Sequence, residues 1–243
     1  MRKPRAILFD LDDTILPGFS RPDMAWREVV AEILARDDET TIARVADAIR
    51  AYSRAFWADP ARHKAWRLRM GEARRTIVAG AFADMARAGQ QPPAADPDAI
   101  ADRFSAYCDE QISIQHDAHR VLDELRRRGI GLALVTNGAT QPQRAKIERF
   151  ALVHRFDHIQ IEQDVGFGKP DERAYEYALA ALGVAPEQAW MVGDNLEWEV
   201  AAPQRLGMFA VWFDHRGRGL PPDNDIKPDL IVTGLSDLLP HIP

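Results

Sequence analysis

The sequence lacks three features that would point to other classes of protein. Its single cysteine, Cys108, excludes an internal disulfide and is typical of a reducing compartment. No apolar run approaches the roughly 20 residues of a membrane-spanning helix. Basic residues are not in excess, and the net charge of −6 disfavours nucleic-acid binding. Only the short run Ala6–Leu11, interrupted by Asp10, follows the basic N-terminus, so we expect no signal peptide and a cytoplasmic protein.

The apolar pattern divides the chain into three stretches. Ala6–Phe9 is continuously apolar, which predicts a buried strand. Residues 17–115 repeat apolar side chains at helical spacing, which predicts an all-helical insertion. After that, apolar runs alternate with helical segments of about a dozen residues, a pattern typical of parallel sheets. We therefore predict an α/β fold with a core domain of residues 1–16 and 116–243 and an inserted helical domain of residues 17–115. The core would hold a Rossmann-like parallel sheet flanked by helices.

The other predicted strands are short apolar runs between helical segments. They are Gly131–Val135, Ile159–Ile161, Trp190–Val192, Phe209–Phe213 and Leu230–Val232. We also predict further helix over Arg62–Ala88 and a helix over Gln143–Phe150. Pro203 must start, kink or split a helical segment at 196–206, because proline lacks the N–H that a helix interior needs.

Two carboxylates follow the first strand directly. In an extended chain, Asp10 and Asp12 would point to the same side, roughly 6.5 Å apart. Carboxylates that close resist ionising together unless a cation joins them or they share a proton. Ligands bind open parallel sheets at the carboxyl ends of the strands. We therefore expect this pair to lie in a functional site.

Polar residues at other strand ends and in one loop fit the same site. Thr136-Asn137-Gly138 follows the second predicted strand, Lys169 lies in a glycine-containing loop before a helix, and Gly193-Asp194-Asn195 follows a later strand, with Glu199 beyond it. Several carboxylates with one lysine require a hard cation, and oxygen ligands favour Mg²⁺. Such a site is suited to phosphoryl transfer.

The order Asp-x-Asp-x-Thr, Thr-Asn, Lys and Gly-Asp resembles the four motifs of the haloacid dehalogenase-like (HAD) superfamily. The inserted helical domain resembles the C1 cap of its subfamily I. The resemblance implies that Asp10 is a nucleophile that forms an aspartyl-phosphate. It implies that Asp12 protonates the leaving oxygen and then activates water.

The resemblance assigns roles to the other motif residues as well. Thr136 and the Asn137 amide would bind phosphoryl oxygens, and Lys169 would neutralise their charge. Asp10, Asp194 and the backbone carbonyl of Asp12 would hold Mg²⁺. The supporting residues would be Thr14, Gly138, Asn195 and Glu199. Glu199 stands where the family usually has aspartate, and we expect it to act through a water or by pairing with Lys169.

We therefore predict a magnesium-dependent phosphatase that hydrolyses a small phosphorylated metabolite, with no nucleic-acid or membrane partner. A phosphosugar mutase keeps both aspartates and is one alternative. A phosphonatase, with Lys64 as the Schiff-base lysine, is a second, and a non-catalytic phosphate-binding relative is a third. We interpret the basic segment 62–75 as a solvated helix face and place hinges at Pro17–Pro22 and 112–118. The sequence identifies neither the substrate nor the oligomeric state.

Overall fold

The computed structural model describes residues 3–17, 22–35 and 37–242 and divides the chain into two units. One unit consists of Met1–Gly18 and Ser113–Pro243, and the other of Phe19–Ile112. These borders lie close to the predicted domain boundaries. Residues 18–21 of the first predicted hinge lie outside the described part of the chain. That the second unit acts as a cap stays a proposal.

The first unit contains one sheet of six parallel strands in the order β3-β2-β1-β4-β5-β6. The strands are β1 Ala6–Phe9, β2 Gly131–Thr136, β3 His158–Ile161, β4 Ala189–Gly193, β5 Phe209–Phe213 and β6 Leu230–Val232. Every one of them overlaps an apolar run in the sequence, because a strand covered by helices on both faces buries nearly all its side chains. The predicted parallel α/β fold is confirmed.

The register of the central strands determines which side chains meet at the sheet edge. In β1, Leu8 lies between Ala133 of β2 and Met191 of β4. All four residues of β1 are fully buried. The carboxyl ends of β1, β2 and β4 are therefore neighbours, and the residues that follow them share one edge.

The helices of the first unit differ from the predicted ones mainly at their ends. They are α6 Ala118–Arg127, α7 Thr140–Arg149, α8 Glu162–Val165, α9 Glu172–Leu182 and α10 Ala202–Arg205. The short helix α8 was not predicted, and α7 begins before Gln143. A π-helical turn, Leu196–Ala201, precedes α10. Pro203 lies in the first turn of α10, where a backbone N–H has no hydrogen-bond partner within the helix, so its absence is tolerated.

The second unit is all-helical among its described residues. Its helices are α1 Pro22–Ile33, α2 Glu39–Trp57, α3 Pro60–Trp66, α4 Met70–Arg87 and α5 Pro97–Gln111. The predicted helix over Arg62–Ala88 is present as two helices, α3 and α4, separated by residues 67–69. Arg69 leaves the helical conformation there, with φ −133° and ψ 50°. Neither glycine nor proline marks this break.

Several arginines of the basic segment 62–75 have partners inside the helical unit. Arg75 donates two hydrogen bonds of 2.8 Å to Asp102. The Arg62 guanidinium lies over the Phe56 ring, 5.0 Å from its centroid. These contacts favour a structural interpretation of the segment. Among the described residues, no helix is both long and apolar enough to cross a membrane.

The core of the helical unit should respond strongly to truncation. Ile49 on α2 is fully buried, whereas Ile231 on β6 is 44% exposed. We expect Ile49→Ala to lower the free energy of unfolding by about 2–5 kcal/mol, because it leaves a cavity. The matched control Ile231→Ala should change it by less than about 1 kcal/mol. Urea denaturation measures both, and equal effects would contradict the assigned core.

Candidate active site

The site begins where β1 ends and the chain turns. The Asp10 amide donates to the Val192 carbonyl at 2.9 Å, which holds Asp10 against the end of β4. Residues 11–15 then form a turn, with Asp13 in the left-handed region at φ 62°. Asp12 still lies close enough for its charge to raise the pKa of Asp10. The two carboxylates have separate lysine partners, Lys169 and Lys146.

Lys169 lies between two carboxylates in the interior. Its Nζ atom is 2.6 Å from Asp10 Oδ1 and 2.8 Å from Glu199 Oε1. Lys169 is 0% exposed and Glu199 1%. Burial raises the pKa of both Asp10 and Glu199, although Lys169 opposes the shift. Burial disfavours the Lys169 ammonium, but the two carboxylates outweigh burial and raise its pKa. The three groups thus form a buried ion triad.

Asn137 holds the backbone of Lys169. Its Nδ2 donates to the Lys169 carbonyl, and its Oδ1 accepts from the Lys169 amide, both at 2.8 Å. The preceding residue must be glycine, since a Cβ on Gly168 would lie 2.6 Å from both Asn137 Oδ1 and Glu162 Cδ. Glu162 is itself held by the Gly138 amide, 3.0 Å from its Oε2. The loop after β2 therefore positions the lysine.

The π-helical turn brings Glu199 to the triad. The Asn195 amide donates to Glu199 Oε2 at 2.8 Å, and Asn195 Oδ1 caps the turn by accepting from two backbone amides. A Cβ on Gly193 would lie 2.1 Å from Glu199 Cγ. Gly193 thus provides the space that this glutamate occupies. Of the two actions expected for Glu199, the structure shows its pairing with Lys169.

Asp12 is held by two residues of α7. Lys146 Nζ lies 2.7 Å from Asp12 Oδ1, and Gln143 Nε2 lies 2.8 Å from Asp12 Oδ2. Neither residue was predicted to belong to the site, and the premise of a single lysine in the site was wrong. The available signal was their spacing: they stand one helical turn apart in the helix that follows Thr136-Asn137-Gly138.

Two threonines line the same site. Thr14 Oγ1 donates to Asp10 Oδ2 at 3.1 Å, so it contacts the expected nucleophile directly. Thr136 Oγ1, at the end of β2, accepts from Gln143 Nε2 at 2.5 Å. Both side chains are buried. The structure therefore places them at the edge where β1 and β2 end.

Asp194 supplies a further carboxylate. Burial raises its pKa to about 8, and the charges of Asp10 and Glu199 add to the shift. No three His, Cys, Asp or Glu side chains among residues 3–17, 22–35 and 37–242 form a metal site by themselves. The expected Mg²⁺ ligands include only two carboxylates, with the Asp12 carbonyl. This donor set fits Mg²⁺, which commonly takes one or two carboxylates, with waters and substrate phosphate completing its shell.

A pocket of about 530 Å³ opens beside Asp194 within the first unit. Its lining includes Asp13, Asp194 and most residues from Trp212 to Pro222. Asp214 shapes this loop by accepting from the amides of Arg218 and Gly219. The volume is within the usual range for small-ligand sites.

Comparison with known proteins identifies the family. The family model of haloacid dehalogenase-like hydrolases matches residues 4–207. The chain belongs to the haloacid dehalogenase-like hydrolases. The resemblance seen in the motifs is confirmed.

Named relatives of this HAD hydrolase are phosphatases. It is 35% identical to a phosphoserine phosphatase of Thermus thermophilus, over 96% of this chain and 97% of that one. It is 27% identical to a glyceraldehyde 3-phosphate phosphatase of Methanopyrus kandleri, over 97% and 95%. The fold matches that of the HAD hydrolase YfnB from Bacillus subtilis, solved bound to magnesium, with a TM-score of 0.67, 20% identity and 99% coverage of both chains. The family and the phosphatase relatives identify this HAD protein as a phosphoric monoester hydrolase.

The ion triad predicts a pH-dependent effect of removing its cation. In Lys169→Met, the buried Asp10 and Glu199 carboxyls would keep protons that the unfolded chain releases above about pH 4. The free energy of unfolding of Lys169→Met should therefore fall as pH rises from 5 to 8. The difference in melting temperature between wild type and Lys169→Met should grow over the same range. Thermal melts with a chelator present measure this. The exposed control Lys227→Met should follow wild type, and a loss in Lys169→Met that does not vary with pH would contradict the triad.

Proposed function

We propose that this HAD hydrolase is a magnesium-dependent phosphatase that hydrolyses the monoester of a small phosphorylated metabolite through an aspartyl-phosphate on Asp10. The observation that carries the proposal is Asp10 itself. It is buried at a strand end, bonded to Lys169 through one oxygen and to Thr14 through the other. Phosphatase relatives of this chain are named for small metabolites, phosphoserine and glyceraldehyde 3-phosphate. A substrate of that class is therefore the natural expectation.

The reaction would proceed in two displacements. A carboxylate oxygen of Asp10 forms a bond to phosphorus while the bond from phosphorus to the leaving oxygen breaks, and Asp12 gives that oxygen a proton. Water then attacks the same phosphorus while the bond from phosphorus to the Asp10 oxygen breaks, and Asp12 accepts a proton from that water. Inorganic phosphate leaves and Asp10 is restored. Lys169 faces Asp10 at 2.6 Å, where it can offset negative charge in both steps.

The other site residues would bind the phosphoryl group and the metal. The Thr136 hydroxyl and the Asn137 amide would donate to phosphoryl oxygens. Asp10, Asp194 and the Asp12 carbonyl would hold Mg²⁺, which supplies charge neutralisation for phosphoryl transfer when bound.

The alternatives receive less support from the structure. A non-catalytic relative was suggested by Glu199 in place of aspartate, but Glu199 reaches Lys169 at 2.8 Å despite that replacement. A phosphonatase would need Lys64, which is an exposed residue of α3. A mutase shares Asp10 and Asp12 and differs in the fate of the phosphoryl group.

Hydrolysis of a phosphate panel tests the proposal. With Mg²⁺, the wild type should release inorganic phosphate steadily from 4-nitrophenyl phosphate and from at least one of phosphoserine, glyceraldehyde 3-phosphate and phosphoglycolate. Chelation should abolish release, and Asp10→Asn should remove it because the nucleophile is lost. Transfer to a second hydroxyl without net phosphate release would favour a mutase. Persistent turnover in Asp10→Asn would overturn the assigned nucleophile.

Metal binding should depend on the ionisation of Asp194. Its folded-state pKa of about 8 means that it holds a proton at about pH 6, and a protonated carboxyl is a poor ligand. Mg²⁺ should therefore raise the melting temperature more at about pH 9 than at about pH 6. Asp194→Asn should lose most of the shift at high pH. An equal Mg²⁺ shift at both pH values, retained in Asp194→Asn, would exclude Asp194 as a ligand.

A further inference from the structure

We propose that Lys146 and Gln143, both on α7, position the carboxyl group of Asp12 for its two proton transfers. The inference rests on the proposed function, in which Asp12 is the general acid and base. It adds two positioning residues that act through Asp12 rather than on the substrate.

Both oxygens of Asp12 are bound by this helix. Lys146 Nζ is 2.7 Å from one oxygen, and Gln143 Nε2 is 2.8 Å from the other. Asp12 is half-exposed, but Lys146 is only 19% exposed and Gln143 is 4% exposed. The donors are therefore anchored in the protein, unlike those of a surface ion pair, whose two long side chains move freely.

Gln143 also connects Asp12 to the expected phosphate-binding loop. The same Nε2 atom lies 2.5 Å from Thr136 Oγ1 and 3.0 Å from the Asn137 carbonyl. An amide NH₂ group has two hydrogens to share among these acceptors. One buried amide thus contacts both the proton-transfer residue and the loop after β2. The Gln143 side chain can therefore hold the Asp12 carboxyl group at a fixed position relative to the phosphoryl group that Thr136 would bind.

Asp12 needs such support because of its place in the chain. It lies in a turn beyond the end of β1, next to Asp13 at φ 62°. A general acid must lie within hydrogen-bond reach of the leaving oxygen, and displacement by about 1 Å can cost 100-fold in rate. The helix α7 is the rigid element that holds the carboxyl group.

The test compares two leaving groups in Lys146→Met. An alkyl leaving group needs a proton from Asp12, whereas 4-nitrophenolate leaves without one. The kcat/KM for phosphoserine, or for the best alkyl monophosphate of the panel, should fall about 10- to 100-fold. For 4-nitrophenyl phosphate it should fall less than about threefold. Lys146→Arg should recover most of the alkyl activity, because it restores a cation opposite Asp12.

Two further variants separate positioning from a general structural effect. Arg144→Met removes a cation from the same helix whose partner is Asp164 at 2.6 Å, and it should leave both substrates unaffected. Gln143→Leu should lower alkyl turnover and also raise KM for both substrates, because Thr136 loses its donor. If Lys146→Met does not fold, Lys146→Gln is measured in the same way.

The outcomes distinguish this inference from the proposed function. Absence of Mg²⁺-dependent turnover in the wild type would refute the phosphatase mechanism itself. With an active wild type, equal losses on both esters, or no loss on either, would overturn the positioning role while the phosphatase proposal stands. A selective loss on the alkyl ester, recovered by Lys146→Arg, is the expected result.

Discussion

The site depends on one buried ammonium group between two buried carboxylates. Removing each ion from water costs several kcal/mol, and only close pairing offsets that cost. Lys169 is fully buried and contacts both Asp10 and Glu199, so its loss would leave two buried carboxyl groups without a cation, whereas loss of either carboxylate would leave the other paired with it. Lys169 opposes the rise that burial causes in the pKa of Asp10. Under the proposed function, this opposition favours the anionic form that a nucleophile needs.

The surrounding backbone is shaped to fit this triad. The Asn137 side chain binds the main chain of Lys169 on both sides, and Gly168 leaves room for that contact. On the opposite side, the π-helical turn carries Glu199 inward over Gly193, which has no side chain to obstruct it. The Glu199 side chain, which is longer than that of aspartate, occupies the space that the absence of a Cβ on Gly193 leaves open. The replacement of the usual aspartate is thus accommodated by its neighbour.

The sequence predicted the sheet better than it predicted the site. Most of the buried parallel strands are continuous apolar runs, although β3 includes His158 and Gln160. Asp10, Thr136 and Asp194 lie at or just beyond the ends of such runs. The partners of Asp12 were not visible. Lys146 is far from Asp12 in sequence, and a polar contact between distant residues leaves no periodic pattern. The interruption at 67–69 has no mark in the sequence either, since those three residues include neither glycine nor proline.

Under the proposed function, Asp10 carries the phosphoryl group during turnover. Acid quenching of the enzyme during steady hydrolysis, followed by peptide mass spectrometry, tests this most directly. An adduct with the mass of one phosphoryl group is expected on the peptide that contains Asp10. Hydroxylamine should remove it, and Asp10→Asn should not form it. An adduct on a different residue would contradict the role of Asp10. So would turnover without any detectable phosphoryl adduct under conditions that preserve acyl phosphates.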